Sequence, residues 1–194
     1  MINSKEKLVE YLEKDKIALF KTYKRPKLIG DEIWKFQIIY RKYEYARNCL
    51  TKKIHLPYLI LIKYLFNKFS VKLGFSIPIN TIEEGLSIAH YGTIVINSNS
   101  QIGKNCRIQE GVTIGATSGQ KNAPKIGNNV FIGSGAKIIG NIEIADDIAI
   151  GAGSVVVKSY YEKGITIAGV PAIKVSNNNS HKNINSNLLE NKEE

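Results

Sequence analysis

Histidine, cysteine and long apolar runs are all scarce in this 194-residue chain, and each scarcity excludes something. Two cysteines, Cys49 and Cys106, stand far apart, which rules out a disulfide framework and fits a reducing, cytoplasmic setting. Three unclustered histidines (His55, His90, His181) are too few for a zinc centre, so no metal is expected. The longest apolar run, near 56–66, is broken by Lys63 and falls short of the roughly 20 residues that span a bilayer. The N-terminus lacks an apolar signal core. A soluble protein without a transmembrane segment is the expectation. No phosphate-binding glycine loop with a Rossmann-like segment precedes the later half of the chain, which argues against a fused nucleotidyltransferase.

Acidic residues are scarce in one place only. Residues 1–74 hold 17 Lys/Arg against 7 Asp/Glu, and residues 75–194 hold 10 of each, so the net +10 belongs wholly to the first segment. Such a segment could favour a nucleic acid, an anionic membrane surface or an acidic substrate. Its tyrosines offer stacking platforms, but no nucleic-acid motif accompanies them, and no nucleic-acid partner is expected. Three helices are predicted here: one over 3–20, a second from an Asp31 N-cap to about Asn48, and a third with Pro57 in its first turn, ending near Gly74.

What the chain has in abundance is a lattice. Ile96, Ile102, Ile108, Ile114, Ile126, Ile132, Ile138, Ile144 and Ile150 recur every sixth residue, with only Gln120 breaking the series. Neither a helix (period 3.6) nor an ordinary strand (period 2) produces a period of six, so this is an internal repeat. Positions two before the isoleucines are small or apolar, among them Ser100, Cys106, Val112, Val130 and Ala136, and glycine often follows. The pattern predicts a parallel β-helix whose stacked coils pile isoleucines into one column. Twelve residues separate Ile114 from Ile126 where six are expected, and 116–124 therefore reads as a loop pushed out from one corner. The domains expected are a basic helical 1–74, a β-helix over 75–175, and a polar, disordered tail over 176–194.

His90 is the only histidine beside the repeat, in Ser-Ile-Ala-His-Tyr-Gly-Thr (87–93). Imidazole is the usual general base for an alcohol near neutral pH. Counting back six from Ile96 also lands on His90, so an unbroken register would bury it, whereas a bulge at Tyr91-Gly92 would turn it out. Spacing leaves both open.

Six ordered motifs then carry a resemblance: 85–96 (Gly-Leu-Ser-Ile-Ala-His-Tyr-Gly-Thr-Ile-Val-Ile), Gly-Val-Thr-Ile-Gly-Ala (111–116), Ala-Pro-Lys-Ile-Gly (123–127), 130–142, 150–156 and Ala-Gly-Val-Pro-Ala (168–172). Residues 85–175 resemble the serine acetyltransferase branch of the hexapeptide-repeat acyltransferases. The resemblance implies an all-β left-handed parallel β-helix behind a small α-helical domain. It also implies a homotrimer, or a dimer of such trimers, with acetyl-CoA as donor in the groove between prisms. It makes His90 the catalytic base. Coenzyme A would touch Gly115, Ala116, Ser134, Ala152 and Gly153, with Pro171 closing the end and Lys174 or Lys158 facing the phosphates.

The chain departs from the serine-specific members of that branch. Ala89 stands where they carry an acidic residue, Asn122 and Ala123 where they carry a basic residue and a histidine, and Phe75 or Ser76 where the carboxylate orienting the histidine belongs. Glu83 or Glu84 is the candidate substitute. These departures lead to the expectation of an O-acetyltransferase acting on a hydroxyl of a sugar or surface polysaccharide. The alternatives are serine O-acetyltransfer in cysteine biosynthesis and a non-catalytic β-helix scaffold.

Overall fold

The computed structural model describes residues 1–118 and 121–189. Three helices come first: α1 (Lys5–Ala18), α2 (Glu32–Cys49) and α3 (Leu56–Leu73). The Ser4 hydroxyl caps α1 by accepting from the Lys7 amide at 3.1 Å. Pro57 sits in the first turn of α3, and Gly74 ends it in the left-handed region at φ 78°. Asp31 stands at the N-cap position of α2 without capping it. Its carboxylate instead accepts from Lys21 Nζ and Tyr23 OH, both at 2.6 Å.

From Phe75 onward, short strands, of two or three residues until the last two, stack as three sheets that are parallel but for the final strand, the walls of a prism. The first wall holds Phe75–Ser76, Ile94–Ile96, Thr113–Gly115, Lys137–Ile139 and Val155–Val156. The second holds Gln101–Ile102, Lys125–Ile126 and Glu143–Ile144. The third holds Ser87–Ile88, Arg107–Ile108, Phe131–Ile132, Ala149–Ile150 and Thr166–Gly169, closed by antiparallel Ala172–Ser176. Registers pair isoleucine with isoleucine: Ile108 with Ile132, Ile132 with Ile150, Ile114 with Ile138. Ile108, Ile114, Ile132, Ile138 and Ile150 are fully buried. At about 25 cal/mol per Å², burying each such side chain contributes roughly 1.5–3 kcal/mol, so the column is a sufficient core.

Turn chemistry completes the second-to-third corner. Asn105, Asn129 and Asp147 all adopt positive φ (57°, 54° and 62°). There Asn105 Nδ2 donates to Asn129 Oδ1 and Asn129 Nδ2 to Asp147 Oδ1, each at 2.9 Å. The polar tail does not follow its composition. Its described part packs: Ile184 is buried, Asn185 Nδ2 donates to the Ile17 carbonyl at 2.6 Å, and His181 meets Asp147 at 2.8 Å. A few specific side-chain partners on this corner and on α1 offset the low apolar content. Residues 190–194 lie outside the described residues.

The helices are anchored on the first coil by a buried ion cluster. Arg41 bonds Asp15 at 2.8 Å and Glu44 at 3.1 Å, and donates to the carbonyls of Ile82 and Glu83 at 2.7 Å each. Asp15 also accepts from the Gly85 and Leu86 amides at 2.9 and 2.8 Å. Gln37 brackets Leu86 and Ile88 through one donated and one accepted bond. Removing one member of such a buried set would strand an uncompensated charge, so the end of α1 and the middle of α2 are held against residues 82–88, which lead into His90.

Candidate active site

Ile88 points inward, paired with Ile108, and the next wall begins at Ile94. Eight residues therefore separate the inward Ile88 from Ile96, two more than the lattice allows. The surplus is accommodated at His90-Tyr91-Gly92, with Gly92 at φ 136°. A Cβ there would come within 3.0 Å of Glu110 Cβ, so the bulge needs glycine for both reasons. The bulge turns His90 out of the core and leaves it exposed.

The offset of 20 that pairs Ile88 with Ile108 carries His90 to Glu110, one coil further on at the same corner. The next coils place Ser134 and then Ala152 there: the Gly135 amide donates to the Glu110 carbonyl and the Gly153 amide to the Ser134 carbonyl, both at 2.8 Å. A Cβ on Gly153 would meet nothing within 4 Å. His90, Ser134, Ala152 and Gly153 thus share one corner. Gly115 and Ala116 do not join them. They end the first wall, at the corner where the 116–124 loop leaves, and Gly115 accepts from the Gly140 amide at 2.9 Å. Registers across this loop jump by 24 residues (Ile114 to Ile138) where 18 separate Ile96 from Ile114, so the extra six leave the prism. Residues 119 and 120 of the loop lie outside the described residues.

Pro171 stands in the turn between the last two strands of the third wall. Lys174 ion-pairs with Glu162 at 2.5 Å, so its charge is already engaged. Lys158 lies over the Tyr160 ring at 5.5 Å.

Neither expected substitute for the orienting carboxylate reaches His90. Glu83 binds Tyr11 OH and the terminal amine, and Glu84 binds Lys14 and Lys104 at 3.3 and 3.2 Å. Both precede Gly85 at a different corner. Burial would raise the Glu84 carboxyl, but its own backbone N–H, Lys104 and Lys14 outweigh burial and bring it down to about 2. The carboxylate that feels the imidazole is Glu110. Its own backbone N–H first, then the Ser134 side chain, then the charge of His90, hold it below the ordinary range. Glu110 Oε2 is shielded from solvent and has no hydrogen-bond partner among the described residues.

Beside His90 opens a cleft of about 280 Å³, bounded by Leu19, Phe20 and Lys21 after α1, Asp31, Ile33 and Trp34 at the start of α2, and Ser87–Tyr91 with Arg107 on the prism. Lys21 is neutralised there by Asp31 at 2.6 Å. Arg107 is not neutralised. Its guanidinium donates to Ser87 Oγ at 3.3 Å and stacks on the Phe20 ring at 5.5 Å, with no carboxylate in ion-pair range among the described residues. Desolvation pulls its pKa down from the ordinary arginine value. Arg107 and Glu110 went unnoticed in the sequence because neither lies in a motif. Glu110 had one signal, the coil offset, which becomes usable only once the two-residue bulge is known.

Three comparisons bear on this corner. The family model described as bacterial transferase hexapeptide (six repeats) matches residues 123–158. A serine acetyltransferase from Synechococcus elongatus is 41% identical over 90 residues, covering 45% of this chain and 36% of the relative. One from Buchnera aphidicola subsp. Acyrthosiphon pisum is 36% identical over 146 residues, covering 74% and 51%. The chain thus spans about half, or less, of the length of these curated relatives. A solved structure titled serine acetyltransferase in complex with CoA superposes with TM-score 0.68 at 30% identity, covering 88% of this chain and 70% of that one. A Brucella abortus serine acetyltransferase with coenzyme A gives 0.68 at 28% identity, covering 90% and 70%. These relatives share the left-handed parallel β-helix behind a helical region.

They also overturn the expected sugar or polysaccharide acceptor. All four relatives are serine acetyltransferases, and nothing favours a glycan. The departures at Ala89, Asn122 and Ala123 remove particular contacts but do not specify another acceptor, because a neighbouring side chain can grip the same group. With its hexad lattice, its bulged histidine corner and these relatives together, the chain belongs to the hexapeptide-repeat acyltransferases, in their serine acetyltransferase-type branch.

Proposed function

We propose that this protein is an acetyl-CoA-dependent O-acetyltransferase whose acceptor is the hydroxyl of serine. The observation that carries the reading is His90, turned out of the prism by its bulge and opening on a cleft whose one unneutralised cation is Arg107 among the described residues. In this reading the acceptor hydroxyl lies within hydrogen-bond reach of the imidazole, which takes its proton as the oxygen attacks the thioester carbonyl. The tetrahedral oxyanion accepts from backbone N–H groups of a coil. Collapse breaks the C–S bond, and the proton held by His90 passes to the departing sulfur, so O-acetylserine and free coenzyme A leave. Glu110 orients the imidazole from one coil away, in place of the missing carboxylate at Phe75.

Arg107 holds the acceptor's carboxylate, a task left vacant by Asn122. Coenzyme A runs along the small-residue corner of Ser134, Ala152 and Gly153, where the open space at Gly153 admits the pantetheine arm. A neighbouring prism supplies the opposite wall through Gly115 and Ala116, which makes a homotrimer the working unit. Pro171 closes the groove, and Lys158, together with Lys174 once released from Glu162, faces the phosphates.

Incubation with acetyl-CoA and L-serine, followed by thiol release and mass spectrometry, tests the reading. O-Acetylserine from the wild type, and none from His90→Ala with an intact fold, is the expected result. Undiminished turnover by His90→Ala, or no product with serine, refutes it.

A further inference from the structure

No residue of α3 lines the cleft beside His90. α3 is apolar on two opposite sides. Ile62 and Leu73 are buried, with Phe66 and Phe69 packed on the core. Facing away from them, Ile60 is 60% exposed, Leu61 54%, Tyr64 59% and Val71 85%. At 3.6 residues per turn these four and Pro57 fall within about 60° of Tyr64, while Ile62 and Leu73 fall about 160–180° from it. A helix on a protein surface ordinarily turns a polar face outward, so an outward apolar stripe implies a cover.

The charge around the stripe says what kind. Between residues 45 and 82 there are six basic residues, Arg47, Lys52, Lys53, Lys63, Lys68 and Lys72, and no aspartate or glutamate. Lys68 lies within the stripe, and Lys63 and Lys72 flank it. Lys72 has only a distant ion pair, 3.8 Å from Glu32. A second copy of the chain is a poor occupant: α3 against α3 would bring both copies' Lys68 into one interface with no acidic residue between 45 and 82 to pair them, and residues 75–194 carry no acidic excess to receive them. No helix of the described residues is long and apolar enough to cross a membrane. A helix with exposed leucine, isoleucine and tyrosine among lysines suits the boundary between headgroups and acyl chains.

We infer that the outward face of α3 docks on an anionic lipid bilayer, inserting Ile60, Leu61 and Tyr64 while its lysines sit among the phosphates. The inference is independent of the acceptor's identity. Cosedimentation of the full chain with phosphatidylcholine vesicles, with and without phosphatidylglycerol, tests it. The wild type binds only the anionic vesicles and is released by high salt. Replacing Lys53, Lys63 and Lys68 by glutamine weakens binding about 100-fold, since each lysine near the surface is worth roughly a factor of five. Removing the same charge from the prism (Lys121, Lys125 and Lys158) changes it little. Leu61→Glu abolishes binding without altering thermal stability, because the side chain is exposed. Failure of the wild type to bind, equal binding to neutral vesicles, or equal losses from both lysine triples overturns the proposal. So does a wild-type assembly that ignores vesicles and is dissociated by Leu61→Glu, which would assign the face to a second copy.

Discussion

Replacing Arg107 by glutamine separates recognition of the acceptor from chemistry. The guanidinium is half-buried, anchored by one 3.3 Å bond to Ser87 and by the Phe20 ring, and it lacks a carboxylate partner among the described residues. A hydrogen bond to a charged group is worth about 1.5–3 kcal/mol when one partner is deleted. Arg107→Gln should therefore lower kcat/KM for serine by about 10- to 150-fold, chiefly through KM. The same loss should be missing for serinamide, which keeps the hydroxyl and amine but has no carboxylate to grip. Wild type should prefer serine to serinamide by the same factor, and the variant should prefer neither. KM for acetyl-CoA should stay unchanged, which reports an intact groove. The assay is thiol release at varied acceptor concentration with saturating donor. Equal losses for serine and serinamide would mean that Arg107 supports the cleft and does not read the carboxylate. An unchanged KM for serine would remove it from recognition altogether.

The remaining predictions concern the scaffold. Ile132→Ala, fully buried between Ile108 and Ile150, should cost about 2–5 kcal/mol in denaturant unfolding, and a loss below about 1 kcal/mol would mean the column is loosely packed. Glu84, depressed from 4.5 to about 2, contributes stability that is fully present above pH 4.5 and lost as the pH falls towards 2. Glu84→Gln should flatten that acid limb of the unfolding free energy, and an unaltered limb would assign it to other carboxylates. Cys106, fully buried with its thiol pushed up to about 12, should resist thiol reagents until the protein unfolds, whereas partly exposed Cys49 should label in the native state. Native labelling of both would show that the prism opens.

Much of the scaffold can be read from spacing because the physics is local and periodic. A six-residue lattice of isoleucines admits few folds, and Pro57 and Gly74 mark the ends of α3 by backbone preference alone. Asp31 does mark the N-cap position of α2, but its side chain makes no capping bond, because Lys21 and Tyr23, ten and eight residues upstream, compete for the same carboxylate. The tail misled for a related reason. Its low apolar content predicts disorder, yet Asn185 and His181 find partners on α1 and at the second-to-third corner, which composition does not register.

By itself the sequence determined the repeat, the inward column, the helical segment with its basic excess, and the short list of groups able to act as a base. Those follow from period and residue type, which need no knowledge of what lies across the fold. Only the tertiary structure decided which way His90 points, that Glu110 and not Glu83 or Glu84 stands above it, and that Arg107 faces the same cleft. These depend on coil length. Two surplus residues at one corner change which residues stack upon each other, and a side chain's neighbours on a β-helix come from the coils above and below.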